Sequence, residues 1–182
     1  MSLVVLHLPS QRFVFHIHTG LTKTAATDAM LHSLHCGKLD DVSLVVNVAS
    51  ECGFTEEHYR DLQQLQRDLG PYHFNVMAFP CNQFGQQEPG SDKEIDSFVR
   101  RVYDVSFPLF SKIAVVGTGA NNIYKYLAEA TGKEPDWNFW KYLIDVNGKV
   151  VDAWGPSVPV KEIRPKITEM IRRIILNKKE EL

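Results

Sequence analysis

Leu44-Val45-Val46-Asn47-Val48-Ala49-Ser50-Glu51-Cys52-Gly53-Phe54-Thr55 is the stretch that decides how this chain folds. Val42–Ala49 is a run of apolar, mostly β-branched residues and predicts a buried strand. The run stops at Ser50-Glu51-Cys52-Gly53, and an amphipathic pattern of helical period begins at Thr55. Cys52 therefore stands on the loop between the C-terminal end of a strand and the start of a helix, where α/β folds present reactive groups. The partial positive charge of a helix N-terminus favours a thiolate, whereas an adjacent carboxylate such as Glu51 opposes it. Cys52 is thus read as a reactive thiol.

The residues downstream extend this start. Thr55 is placed to cap the helix, with Glu56 and Glu57 in its first turn and Tyr59, Leu62, Leu65 and Leu69 on one face. Gly70-Pro71 supplies the stop. Phe74–Phe79 predicts a second strand, running into Pro80-Cys81-Asn82-Gln83-Phe84-Gly85. Ser91-Asp92-Lys93-Glu94 is a capping box, and Ile95, Phe98, Val99 and Val102 give its helix an apolar stripe. Ser106–Val116 reads as extended, and Pro108 makes it an edge or irregular strand. Ile123–Ala130 is a short helix closed by Gly132. Trp140–Val146 and Lys149–Trp154 flank Asn147-Gly148, a two-residue hairpin signal. Ile163, Ile167, Met170, Ile171 and Ile174 mark a C-terminal amphipathic helix that tolerates Pro165 only near its first turn. The order β-α-β-α-β-α-β-β-α predicts an α/β fold with a central mixed β-sheet flanked by α-helices, as in the thioredoxin-like fold.

The chain has 182 residues and a formal charge of −2, with no basic stripe interleaved with aromatics, which argues against a nucleic-acid partner. No apolar run approaches the roughly 20 residues of a membrane span. Residues 1–41 have weak periodicity and form an atypical N-terminal segment, set apart from a domain over 42–182. Within the segment, His32, His35 and Cys36 are close in sequence but lack a distant fourth ligand, so no metal site is read there. Met1 to Gly20 is broken by Pro9, Arg12, His16 and His18 and is not read as a signal peptide. Lys179-Glu180-Glu181-Leu182, by contrast, differs by one conservative swap from the retrieval signal of the endoplasmic reticulum, which points to its lumen.

The chain has no Cys-x-x-Cys pair. Cys81 occupies the place after the second strand that Cys52 occupies after the first, and adjacent strands lie about 4.8 Å apart. An oxidised Cys52 would be a sulfenic acid, which condenses with a second thiol to a disulfide. Cys52 then attacks and Cys81 resolves. The bland reading is that both are buried small hydrophobes.

Three blocks carry a more specific signal: Asn47-Val48-Ala49-Ser50 with Cys52-Gly53, Phe79 through Gly85, and Trp137-Asn138-Phe139 with Lys141. Together, and in this order, they resemble the signature blocks of the glutathione peroxidase family, in particular its cysteine-containing members of the endoplasmic reticulum. The resemblance runs from about Val42 to the C-terminus. It implies that Cys52 is the peroxide-attacking sulfur and that Gln87, Trp137 and Asn138 complete a catalytic tetrad. Amide and indole N–H groups can donate to a thiolate and to peroxide oxygen. The implied reaction reduces hydrogen peroxide or an organic hydroperoxide without a bound cofactor. Glutathione or a protein dithiol of the protein disulfide isomerase type is the implied reductant. Between Gly117 and Trp137 the chain lacks a longer insertion that resembles a subunit contact in tetrameric relatives, which implies a monomer.

Residues 1–41 depart from the family, whose catalytic strand normally follows a β-hairpin. Losing that hairpin would expose apolar sheet surface at roughly 25 cal/mol per Å². Two competing readings follow: a redox sensor that passes oxidation to a bound partner, and an inactive N-terminal variant.

Overall fold

The computed structural model describes Leu39 and residues 41–180. Cys36, the His32/His35 pair, most of the N-terminal segment and the last two residues of the charged C-terminal tail lie outside the described residues. Four strands and four α-helices follow in order: β1 (Val42–Val48), α1 (Thr55–Leu69), β2 (Phe74–Pro80), α2 (Asp92–Tyr103), α3 (Asn122–Thr131), β3 (Lys141–Ile144), β4 (Val150–Trp154) and α4 (Val160–Glu180). A 3₁₀ turn over Gly70–Tyr72 separates α1 from β2.

The sheet order is β2-β1-β3-β4. β1 pairs in parallel with β2, from Val42↔Phe74 to Val48↔Pro80, and antiparallel with β3, from Ser43↔Ile144 to Val46↔Lys141. A strand flanked on both edges and covered on both faces must be apolar almost throughout, and all seven residues of β1 are buried. Alternation sorts the rest. Val42, Leu44, Val46 and Val48 pack with Phe74 and Val76 against Leu62 of α1, Val99 of α2 and Ile167 of α4. Val45, Met77 and Phe79 point the other way, onto Ile123, Tyr124 and Leu127 of α3.

Several local expectations are met. Ser91 caps α2, accepting from the Glu94 amide, while Glu94 returns a bond to the Ser91 amide, so the capping box closes. α3 ends at Gly132, whose φ of 66° is left-handed.

Others differ for identifiable reasons. Ser106–Val116 is not a strand. Pro108 has no N–H to offer, so contact with β2 shrinks to a bridge between Ala78 and Leu109, with bonds from Ala78 N to Pro108 O and Phe110 N to Ala78 O. The β3–β4 turn is wider than two residues. Asp145 Oδ1 accepts from the Asn147 and Lys149 amides, and Gly148 rather than Asn147 takes the positive φ. Pro165 lies on the second turn of α4, not the first, and removes one bond from the helix interior.

Asn47 is a polar residue in a largely apolar run, and it is completely buried. Its Nδ2 donates to Trp137 O at 3.0 Å, its Oδ1 accepts from Trp140 N at 3.0 Å, and its carbonyl accepts from Phe139 N at 2.7 Å. Replacing it strips two backbone groups of their partner. Asn47→Ala is expected to lower the unfolding free energy by about 2–3 kcal/mol in urea titrations.

Candidate active site

Three loops meet beyond the C-terminal ends of β1 and β2. The first carries Cys52, which is 8% exposed. Thr55 does not cap α1 from outside. Phe54 holds the cap position without a side-chain bond, and Thr55 is the first helical residue. Its hydroxyl instead turns back, accepting from Cys52 N at 3.1 Å and donating to Ala49 O at 2.7 Å. With Thr55 N bonded to Cys52 O at 3.0 Å, the backbone of Cys52 is held at both ends.

The second loop runs from Cys81 to Glu88. Gln83 anchors it, its Oε1 accepting from Val115 N at 2.6 Å and its Nε2 donating to Val116 O at 3.0 Å. Asn82 Oδ1 accepts from Glu88 N at 2.9 Å. Gly85 and Gln86 both have positive φ, and a Cβ at Gly85 would crowd the Gln87 side chain at 3.3 Å. That tight turn brings Gln87 O to Glu51 N at 3.0 Å, joining this loop to the residue beside Cys52.

The third loop carries Trp137 and Asn138. Asn138 is fully buried, and its Nδ2 donates to Gln87 Oε1 at 2.9 Å and to Phe84 O at 3.4 Å. Both N–H groups of Asn138 are therefore committed, while its Oδ1 has no hydrogen-bond partner in the protein. With its own Oε1 engaged, Gln87 offers its Nε2 as donor. Trp137 is 38% exposed and lies against Phe84, the ring centroids 6.2 Å apart. The structure thus gathers Gln87, Trp137 and Asn138 with the Cys52 loop.

Cys81 stands differently. Both thiols are free and buried, but Cys52 packs with the cluster under α1, α2 and α4, whereas Cys81 continues the alternation of Met77 and Phe79 into the cluster under α3. Burial pushes the Cys81 thiol up, against the bonds it accepts from the Gln83 and Val115 amides. Matched positions after adjacent strands did not reveal this, because the parity of β2 decides the face.

Two further polar residues are buried where β3 faces α1. Lys141, on β3, is completely buried and donates to His58 Nε2 at 3.0 Å and Phe139 O at 2.9 Å. His58 reaches Phe54 O through Nδ1 at 3.1 Å, which makes Nε2 the acceptor. Burial, and then the Lys141 charge, bring His58 down to about 4. Burial likewise lowers Lys141 to about 7, the distant Glu57 offsetting little. A lysine inside a strand was the available sequence signal for this pair. Among the described residues, no group of three His, Cys, Asp or Glu side chains could hold a metal ion.

Comparison with known proteins identifies the family. The family model for glutathione peroxidase matches residues 22–128. Glutathione peroxidase 7 of Bos taurus is 72% identical over 141 residues, covering 78% of this chain and 76% of that protein. The crystal structure of Trgpx in apo form superposes with a TM-score of 0.59 at 36% identity, covering 73% of this chain and 82% of that one. A thioredoxin-family thiol:disulfide interchange protein from Chlorobium tepidum gives a TM-score of 0.55 at 13% identity over 77% of this chain and 83% of its own, which identifies the fold as thioredoxin-like.

The Lys141 site has a stability signature. The folded protein releases the Lys141 proton near pH 7, whereas the unfolded chain keeps it to about its ordinary 10.5, so stability rises with pH across that interval. Urea unfolding followed between about pH 7 and 10 should show that rise in the unmodified protein and lose it in Lys141→Met.

Proposed function

The chain belongs to the glutathione peroxidase family and is a thiol-dependent peroxidase, and we propose that Cys52 is its attacking sulfur. The Cys52 thiolate attacks the terminal oxygen of a hydroperoxide. An S–O bond forms, the O–O bond breaks, and the leaving oxygen departs as water or an alcohol once protonated. The sulfur is left as a sulfenic acid. The observation that carries this reading is the junction of three loops, sealed by Glu51 N to Gln87 O and by Asn138 Nδ2 to Gln87 Oε1.

In this reading Gln87 Nε2 and the Trp137 indole N–H donate to the thiolate and to the peroxide oxygens. Asn138, with both N–H groups committed, orients Gln87 rather than touching the sulfur. Two exits return Cys52 to its thiol: reduction by glutathione, or a disulfide with Cys81 that a dithiol protein of the protein disulfide isomerase type then opens. The second requires Cys81 to leave its apolar cluster, which means releasing the Gln83 ties to Val115 and Val116. The enzyme is proposed to work as a monomer. Its proposed home is the lumen of the endoplasmic reticulum, supported by Lys179-Glu180-Glu181-Leu182. No helix of the described residues is long and apolar enough to cross a membrane.

Stopped-flow peroxide consumption tests the assignment. Cys52→Ser should abolish it, and Gln87→Ala should slow it by about tenfold or more, as expected for removing a donor to developing charge. If the unmodified protein reacts no faster than Cys52→Ser, the assignment fails. Turnover with glutathione or reduced protein disulfide isomerase as sole electron donor distinguishes the two exits. Peptide mapping after one equivalent of peroxide should recover a Cys52–Cys81 bridge, formed faster in Gln83→Ala because its anchor is gone.

A further inference from the structure

Glu88 follows Gln87 directly and is completely buried. Its backbone is held by Asn82 and by Lys112, whose Nζ donates to Glu88 O at 2.9 Å. Neither carboxyl oxygen has a protein partner at hydrogen-bonding geometry, and the Ser50 hydroxyl is likewise buried without one. A carboxylate in such a place is poorly solvated, so the proton-bearing form is favoured. Burial pushes Glu88 up to about 7. The Ser50 hydroxyl and amide and the Lys112 ammonium pull it down, and the Glu51 charge pushes it up. Tyr59 of α1 and Cys81 after β2 both feel its charge. The groups around it are therefore Ser50 and Glu51 from the Cys52 loop, Tyr59, Cys81 and Lys112.

The peroxidase reaction moves one proton twice. The Cys52 thiol must lose it, and the oxygen leaving the broken O–O bond must gain it. Gln87, Trp137 and Asn138 carry only amide and indole N–H groups, which donate hydrogen bonds but do not titrate near neutral pH. Resting on the peroxidase reading, we propose that Glu88 is the proton-holding residue of the site, working through the Ser50 hydroxyl. Its carboxylate accepts the Cys52 proton, leaving thiolate and carboxylic acid. The thiolate sulfur then bonds to the terminal peroxide oxygen while the other oxygen departs. That oxygen takes a proton from the Ser50 hydroxyl, which is reprotonated by Glu88, and leaves as water or alcohol with the carboxylate restored. Glu88 does not touch the peroxide; it is a positioning residue for the proton.

The reactive state then holds one proton between Cys52 and Glu88, which makes the pH profile of Cys52 oxidation bell-shaped. The test is single-turnover oxidation by hydrogen peroxide, followed by stopped flow from about pH 5 to 9 in the unmodified protein, Glu88→Gln and Glu88→Asp. Glu88→Gln should be about 100-fold slower and keep a single limb. Glu88→Asp retains a carboxyl and should restore the second limb. A purely structural role would lower the rate without removing a limb. An infrared carboxylic-acid band that titrates near neutral pH, and is missing in Glu88→Gln, is the companion readout. A Glu88→Gln profile that stays bell-shaped within twofold of the original rate overturns the proposal, as does absence of that band. Lack of peroxide reactivity in the unmodified protein overturns the peroxidase reading itself and the proposal with it.

Discussion

The site hangs on the amide of Asn47. A strand buried on both faces has no use for a polar side chain unless every polar atom finds a partner. Asn47 finds its partners in the backbone of Trp137, Phe139 and Trp140, across 90 residues or more of sequence. Those bonds hold Phe139 at a φ of 66° and set Asn138 against Gln87. Gln87 in turn holds Glu51 by its carbonyl. Three loops are thereby fixed to β1, a strand buried along its whole length. Precision at Cys52 is borrowed from the centre of the sheet.

Three ionisable groups are buried on the elements that carry these loops. Glu88 is raised to about 7, Lys141 is lowered to about 7 and His58 to about 4, each chiefly by loss of solvent. Their neutral forms are all favoured, the direction expected where charge is poorly compensated. The consequences for stability oppose one another. Glu88 stabilises the fold below its unfolded value of about 4.5, and that contribution is lost by pH 7, whereas Lys141 contributes increasingly above pH 7.

Much of this was legible in the residues. The run ending at Cys52 and the capping box at Ser91 are short-range signals, and each lies where its local chemistry placed it. What escaped required knowledge of distant neighbours. Thr55 has the composition of a cap, yet its hydroxyl is drawn back to Ala49 O. Asp145 overrides the Asn147-Gly148 turn by taking two amides at once. Cys52 and Cys81 occupy matched places in sequence, but the β2 alternation sends Cys81 beneath α3. Gln87 and Asn138 were named by resemblance, while their mutual bond and the unpartnered carboxyl of Glu88 were visible only in three dimensions.

The long reach of the Asn47 bonds also orders events in time. Synthesis proceeds from the N-terminus, so Cys52 leaves the ribosome well before Trp137, Asn138 and the β3 residues that flank β1. Until those arrive, the parallel β1–β2 pair lacks its other neighbour and the loop bearing the thiol lacks one of the two loops it meets. During that interval the Cys52 thiol is open to exchange with a passing disulfide, bonding to one of its sulfurs while the other leaves as a thiolate. The surroundings of this sulfur are therefore complete only once the Trp137–Asn138 loop has been made.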